Sequence, residues 1–189
     1  MATVAPDAFR TPDSFLALSG NKGFELVDGN LQELHAGALS GWIGGRLFCL
    51  LRGFCDLHKL GWTFPCETGY QCFPDNPNTV RKPDVSFVRF GKLPSEQVPV
   101  GWIRVAPDLV AEVVSPNDLV SELEAKVFEY QQAGVRLIWI INPDTHTVRI
   151  HRIDGSIDGL REHEMLDGED VVPGFRYAVR DLFAPAKAD

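Results

Sequence analysis

Two carboxylates and one lysine stand where packing alone would not put them. Asp84 follows Lys82-Pro83 and opens a strand-like run through Val85, Phe87 and Val88. Glu112 interrupts the otherwise apolar run Leu109-Val110-Ala111-Glu112-Val113-Val114. A continuous apolar run of this length reads as a strand covered on both faces. A carboxylate inside it needs a partner, a metal ion or a cleft, because burying it alone is very costly. Lys126 lies at the edge of the apolar stripe of the next helical segment, one turn from Glu122 and from Tyr130. Brought to one sheet end, these groups could form a metal-dependent phosphodiesterase site. Mg2+ or Mn2+ suits such a donor set, since Mg2+ takes one or two carboxylates together with waters and phosphate oxygens. The metal would lower the pKa of a bound water, and the lysine would orient that water or offset developing charge.

The elements that must position these residues are legible. Ser115-Pro116-Asn117-Asp118 reads as a turn and N-cap cluster. Residues 119–133 are helical in pattern, with Leu119, Leu123, Val127 and Tyr130 on one stripe and Gly134 as the stop. Residues 135–141 form another buried strand, ended by Asn142-Pro143-Asp144. Strand, helix and strand make a βαβ unit, which implies parallel pairing.

Upstream, Asp28-Gly29-Asn30 sits between two alternating segments and signals a hairpin, with Glu25 in its first strand. A short helix is expected at 14–18. A long helix is expected from 38 to about 59, ended by Gly61. Short strands follow at 62–64 and 68–73, then a loop or a short irregular helix over 90–100. Downstream, a strand at 147–152, a turn at Asp154-Gly155 and a strand at 161–166 lead to closing segments at 171–175 and 179–183. This organisation predicts a loose leader over 1–13, one domain over 14–183 and a tail over 184–189.

Length and charge narrow the function. The 189 residues contain no apolar run near the roughly 20 needed for a membrane span. The first residues lack a signal-peptide pattern, so a cytoplasmic protein is expected. Cys49, Cys55, Cys66 and Cys72 lack the C-x₂₋₄-C spacing of a zinc site and read as reduced thiols. A net charge of −8 argues against coating nucleic acid through a basic surface. It does not argue against a nuclease, whose carboxylates are offset by bound cations. Phosphate-binding loops, serine-hydrolase elbows and zincin motifs are absent from the sequence.

Each candidate has a blander reading. Asp84 could satisfy backbone amides at a strand start, and Lys126 could snorkel from a helix margin. Glu25 could be an exposed strand residue. Asp108 and Ser115 read mainly as turn residues, and Tyr130 as core. His146 and His151 flank a hairpin strand and read as surface. Glu112 has the weakest bland alternative, because packing would not choose it.

Several segments together resemble a known family. They are Gly23-Phe24-Glu25-Leu26-Val27-Asp28-Gly29, Arg81-Lys82-Pro83-Asp84-Val85, the stretch from Pro107 to Pro116, Lys126 with Tyr130, and residues 134–143. Their order and spacing are similar to the Uma family of restriction-endonuclease-like proteins, within the PD-(D/E)XK nuclease superfamily, over residues 14–183. The resemblance implies an α/β restriction-endonuclease-like core: a mixed central sheet flanked by helices, with antiparallel hairpins at both ends. It implies Asp84 and Glu112 as ligands of Mg2+ or Mn2+, Lys126 as the third catalytic residue and Glu25 as an extra acid. The superfamily's lysine place, two residues after the acid, holds Val114 here; the family moves that lysine to the following helix. Relatives carry a histidine near the start of the long helix, where this chain has Ser40, with His35 the nearest histidine. The expected function is a metal-dependent endonuclease acting on DNA, with RNA as the other substrate, and a homodimer for cleaving both strands. A catalytically inactive interaction or nucleic-acid-binding module on the same fold is the alternative. The acidic charge, Val114 and the absent helix histidine favour it.

Overall fold

The computed structural model describes residues 9–35 and 37–184. The expected leader up to residue 8 and tail from residue 185 lie outside the described residues. Thr11 accepts from the Ser14 amide, Ser14 reciprocates, and Pro12 takes the first helical position. This capping box starts α1 (Pro12–Leu16) two residues earlier than the sequence pattern suggested. The Asp28-Gly29 turn then joins β1 (Phe24–Val27) and β2 (Asn30–Glu33) in the expected hairpin.

Next comes α2 (Ala38–His58). Lys59, in the left-handed region at φ 54°, ends it. Gly61 instead opens β3 (Gly61–Pro65), where a Cβ would lie 2.3 Å from the Val88 carbonyl oxygen. Close approach of two strands, rather than helix termination, requires that glycine. The expected strand at 68–73 reduces to Tyr70 alone, which bridges Arg81 and Ile103.

The central sheet follows. It comprises β3, β4 (Val85–Arg89), β5 (Leu109–Val113), β6 (Leu137–Asn142), β7 (Thr147–Arg152) and β8 (Ile157–Leu160), in that spatial order. Only β5 and β6 pair in parallel, joined through α3 (Val120–Gln132) as the βαβ pattern required. The expected strand at 161–166 divides: Glu164 turns back onto Arg161, separating β8 from β9 (Met165–Asp167). The closing segments become a turn, β10 (Arg176–Ala178) and α4 (Val179–Phe183), with β9 and β10 forming the C-terminal hairpin. Among the described residues no helix is long and apolar enough to cross a membrane.

Alternation along β5 decides which side chains face which helix. Leu109, Ala111 and Val113 pack with Ile43, Leu47 and Leu51 of α2. Val110 packs with Val127 and Tyr130 of α3, together with Ile138 and Ile140. Two-sided burial explains the apolar run, each large side chain contributing about 1.5–3 kcal/mol. Glu112 has the parity of Val110 and therefore belongs to the α3 face.

Asp108, just before β5, proves structural. It is 3% exposed, accepts from the Arg89 amide at 2.9 Å and faces Lys92 Nζ at 3.2 Å and Arg89 Nε at 3.4 Å. Asp108→Ala strands a buried amide, and we expect a loss of about 2–4 kcal/mol in urea unfolding. An unchanged midpoint would contradict this role.

Candidate active site

The parallel β5–β6 pair and the antiparallel β4–β5 pair meet under the start of α2 and the first turns of α3. A cavity of about 310 Å³ opens there, and Glu25, Ser40, Asp84, Glu112, Ser115 and Lys126 all line it. The β4–β5 ladder ends with Val85 paired to Ala111, and Asp84, just before it and close to Gly44 of α2, lines the same cavity as Glu112. Asp84 is held there from below: the Val113 amide donates to its Oδ2 at 2.8 Å. The bland reading of Asp84, a carboxylate accepting a backbone amide, is thus true of one oxygen.

Glu112 is 6% exposed. The Tyr130 hydroxyl donates to its Oε1 at 2.8 Å, and Lys126 Nζ lies 3.6 Å from its Oε2. Tyr130 is core, as its stripe position implied, and also a direct partner of the site. Lys126 continues to Glu25, whose Oε2 is 3.2 Å away. Glu25, far from exposed, is 1% accessible: its Oε1 accepts from the Lys82 amide at 2.7 Å and its Oε2 from Arg81 Nη1 at 2.9 Å.

The electrostatics follow from burial and these neighbours. Burial pushes the Glu112 carboxyl up to about 8, with the nearby Asp84 and Glu25 adding to the rise and the Lys126 charge opposing it. Asp84 is also raised, chiefly by burial, against the pull of the Val113 amide and Lys126. Burial would raise Glu25 as well, but Lys126, Arg81 and the Lys82 amide together hold it below the usual range. Burial works against the Lys126 ammonium, yet Glu112 and Glu25 outweigh it and keep the lysine charged.

The donor set suits a hard divalent cation. Asp84 Oδ1 and Glu112 Oε2 accept no hydrogen bond among the described residues, and both side chains line the cavity. Among those residues no three His, Cys, Asp or Glu side chains form a closed metal cage. If Asp84 and Glu112 held a hard cation, waters and substrate phosphate oxygens would have to complete its shell. Both oxygens of Glu25 are already engaged by Lys82, Arg81 and Lys126, so the extra acid sits in the site as a partner of cations.

Ser40, near the start of α2, exchanges a 2.9 Å hydrogen bond with Ser115. His35 also lines the cavity but is exposed. Asp118 does not cap α3; it accepts from the Ser115 amide at 2.7 Å and closes the turn below the site. Val114, in the superfamily's lysine place, is packed against the α3-side core, and Lys126 supplies the ammonium from the helix above. His146 pairs with Glu162 and stacks on Phe183, and His151 lies in β7; neither lines the cavity. The sequence reading overlooked Arg81 and Glu129. Arg81 adjoins the Lys82-Pro83-Asp84 motif, and Glu129 is one helical turn from Lys126, so a search for charge partners at i+3 could have found the second.

The mixed sheet with α2 and α3 on its two faces, carrying an Asp–Glu–Lys constellation at one end, has the architecture of the restriction-endonuclease-like class. A profile of the Uma2 family, described as "Putative restriction endonuclease", matches residues 12–180, and the chain belongs to that family. Among solved structures it is similar to one described as a putative nuclease belonging to DUF820 from Anabaena variabilis. The TM-score is 0.77 at 19% identity, over 92% of this chain and 97% of that one, a likeness of fold. A comparison with curated proteins found no match.

Proposed function

We propose that this protein is a Mg2+- or Mn2+-dependent endonuclease that hydrolyses phosphodiester bonds, with DNA as substrate. The observation that carries the reading is Asp84 and Glu112 lining one cavity with the Lys126 ammonium 3.6 Å from Glu112. Asp84 and Glu112 would hold the cation through the two oxygens that accept no hydrogen bond. A divalent cation there supplies an acidified water and offsets charge on the phosphate. Lys126, kept charged by its two carboxylate neighbours, serves as a fixed donor and cation for that water or for the developing phosphoryl charge, not as a base. Tyr130 fixes the Glu112 rotamer, and the Val113 amide fixes Asp84. Glu25 is the anchor of Lys126.

Cutting both strands of a duplex takes two such sites, so a homodimer belongs to the DNA reading, and sedimentation tests it. A reducing, cytoplasmic setting agrees with four cysteines that form no disulfide.

Mn2+ titration by calorimetry on wild type and on Asp84→Ala is the direct test, followed by cleavage assays on duplex DNA, single-stranded DNA and RNA. We expect wild-type binding that the substitution weakens by at least roughly 100-fold, since one of two protein ligands is lost. No wild-type binding at millimolar metal would replace the enzyme with the inactive module. Cleavage of RNA alone would keep the chemistry and change the substrate.

A further inference from the structure

Lys126 forms ion pairs with Glu112 and Glu25, and among the described residues none joins it to Asp84 itself. A group must keep the helix-borne ammonium in register with the strand-borne carboxylate opposite it. We propose that Arg81 is that positioning residue: its guanidinium, paired with Glu129 and Glu25, locks Lys126 over the Asp84–Glu112 pair. The inference rests on the nuclease reading for its kinetic consequence, but not for its structural one.

The contacts form a closed chain. Arg81 stands three residues before Asp84, its backbone pinned in both directions to Tyr70, at 3.1 and 2.8 Å. Its side chain is 2% exposed. Nε and Nη2 donate to Glu129 Oε2 and Oε1 at 2.7 and 3.0 Å, a two-point grip on the helix one turn beyond Lys126. Nη1 donates to Glu25 Oε2 at 2.9 Å and to Gln32 Oε1 at 3.1 Å. Glu25 Oε2 in turn lies 3.2 Å from Lys126 Nζ. One planar fork thus fastens α3, the β1–β2 hairpin and the lead-in to Asp84 to one another. Replacing it with an ammonium would break that geometry, because a point charge cannot make the same fan of bonds. The five donors of a buried guanidinium need several acceptors, and here one of them, Glu25, also touches Lys126 while another, Glu129, lies one turn along the same helix, so satisfying Arg81 also fixes the surroundings of the lysine.

The test uses Arg81→Lys and Glu129→Gln, with two readouts. Glu129 is 22% exposed and its replacement leaves the Arg81–Glu25 pair intact, so that variant keeps its fold even if Arg81→Lys does not. The first readout is acylation of lysines by a small amine-reactive ester, mapped by peptide mass spectrometry. Lys92 is the internal reference, because its ammonium is held outside this network, by the Ala106 carbonyl at 2.6 Å and Asp108 at 3.2 Å. We expect Lys126 labelling to rise several-fold while Lys92 stays at the wild-type level. The second readout is kinetic: kcat falls roughly 10- to 100-fold, as displaced catalytic groups do, with KM and Mn2+ affinity unchanged. Lys126 labelling at the wild-type level in both variants overturns the proposal, as does a parallel rise at Lys92, which would mean general loosening. If wild type cleaves no nucleic acid, the nuclease reading fails and the labelling alone still decides the role of Arg81.

Discussion

Replacing Glu112 with glutamine is expected to abolish Mn2+ binding and hydrolysis while making the metal-free protein more stable near pH 8. Loss of a ligand should cost roughly 10²–10³-fold in turnover, or more. The stability gain comes from burial. In the folded protein the Glu112 carboxyl titrates near 8, against 4.5 as its ordinary value. Below about pH 4.5 both folded and unfolded states hold the proton, and the carboxyl costs nothing. Between 4.5 and 8 the unfolded chain is ionised and the folded one is not, so each rise of one pH unit removes up to about 1.4 kcal/mol of stability. Above 8 the penalty is complete. Glutamine keeps the oxygen that accepts from Tyr130 and carries no titrating proton. Urea unfolding of the two proteins should therefore agree near pH 4.5 and diverge, variant above wild type, toward pH 8. Divergence in the other direction would mean that Glu112 is a structural anion.

The same carboxyl gives metal affinity its pH dependence. A cation can bind Glu112 only after the proton leaves, so Mn2+ affinity should climb as pH rises to about 8 and then level, with proton release on binding. Asp84, also raised by burial, acts in the same direction. Calorimetry in buffers of different ionisation enthalpy measures the released protons. A flat affinity across this range would remove Glu112 from the ligand set.

How much of this was legible beforehand depends on the range of the interaction. The β4–β5–α3–β6 core announced itself through local periodicity, because strands buried on both faces must be apolar throughout and a helix covering one of them must carry a stripe. Glu112 stood out for the same reason: it breaks a pattern that only burial imposes. Lys126 was visible as a charge at the stripe's margin. Arg81 was not, because its partners Glu25 and Glu129 are far away in sequence and meet it only once the hairpin and helix have docked. Glu25 was legible as an acid in a strand, yet not as an almost inaccessible one. The strand expected at 68–73 failed because alternation says nothing of pairing partners, and only Tyr70 finds them. Residues 179–183 were legible only as a closing segment without a conformation, and in the fold they form α4, with Val179 and Leu182 buried three apart.

Lys126→Met is expected to separate catalysis from metal binding. The methionine fills the space of the lysine stem but brings no charge to the 3.6 Å contact with Glu112 or the 3.2 Å contact with Glu25. Glu25 keeps Arg81 and the Lys82 amide, so the buried anion is not abandoned and the fold survives. Two effects on the metal then oppose each other. Without the ammonium, Glu112 holds its proton more tightly, which weakens binding. Without it, too, the cation no longer approaches a like charge, which strengthens binding. Both arise from the same charge at similar distance, so Mn2+ affinity should stay within about tenfold of wild type, a change of less than about 1.4 kcal/mol. Turnover has no such offset. The fixed donor and cation beside the phosphate is gone, and kcat at saturating metal should fall roughly 10²–10³-fold. Wild-type kcat in this variant would reduce Lys126 to a buried counter-ion of Glu25. Lost metal affinity with kcat intact at saturation would make it a shaper of the carboxylate pair, with no part in the chemistry.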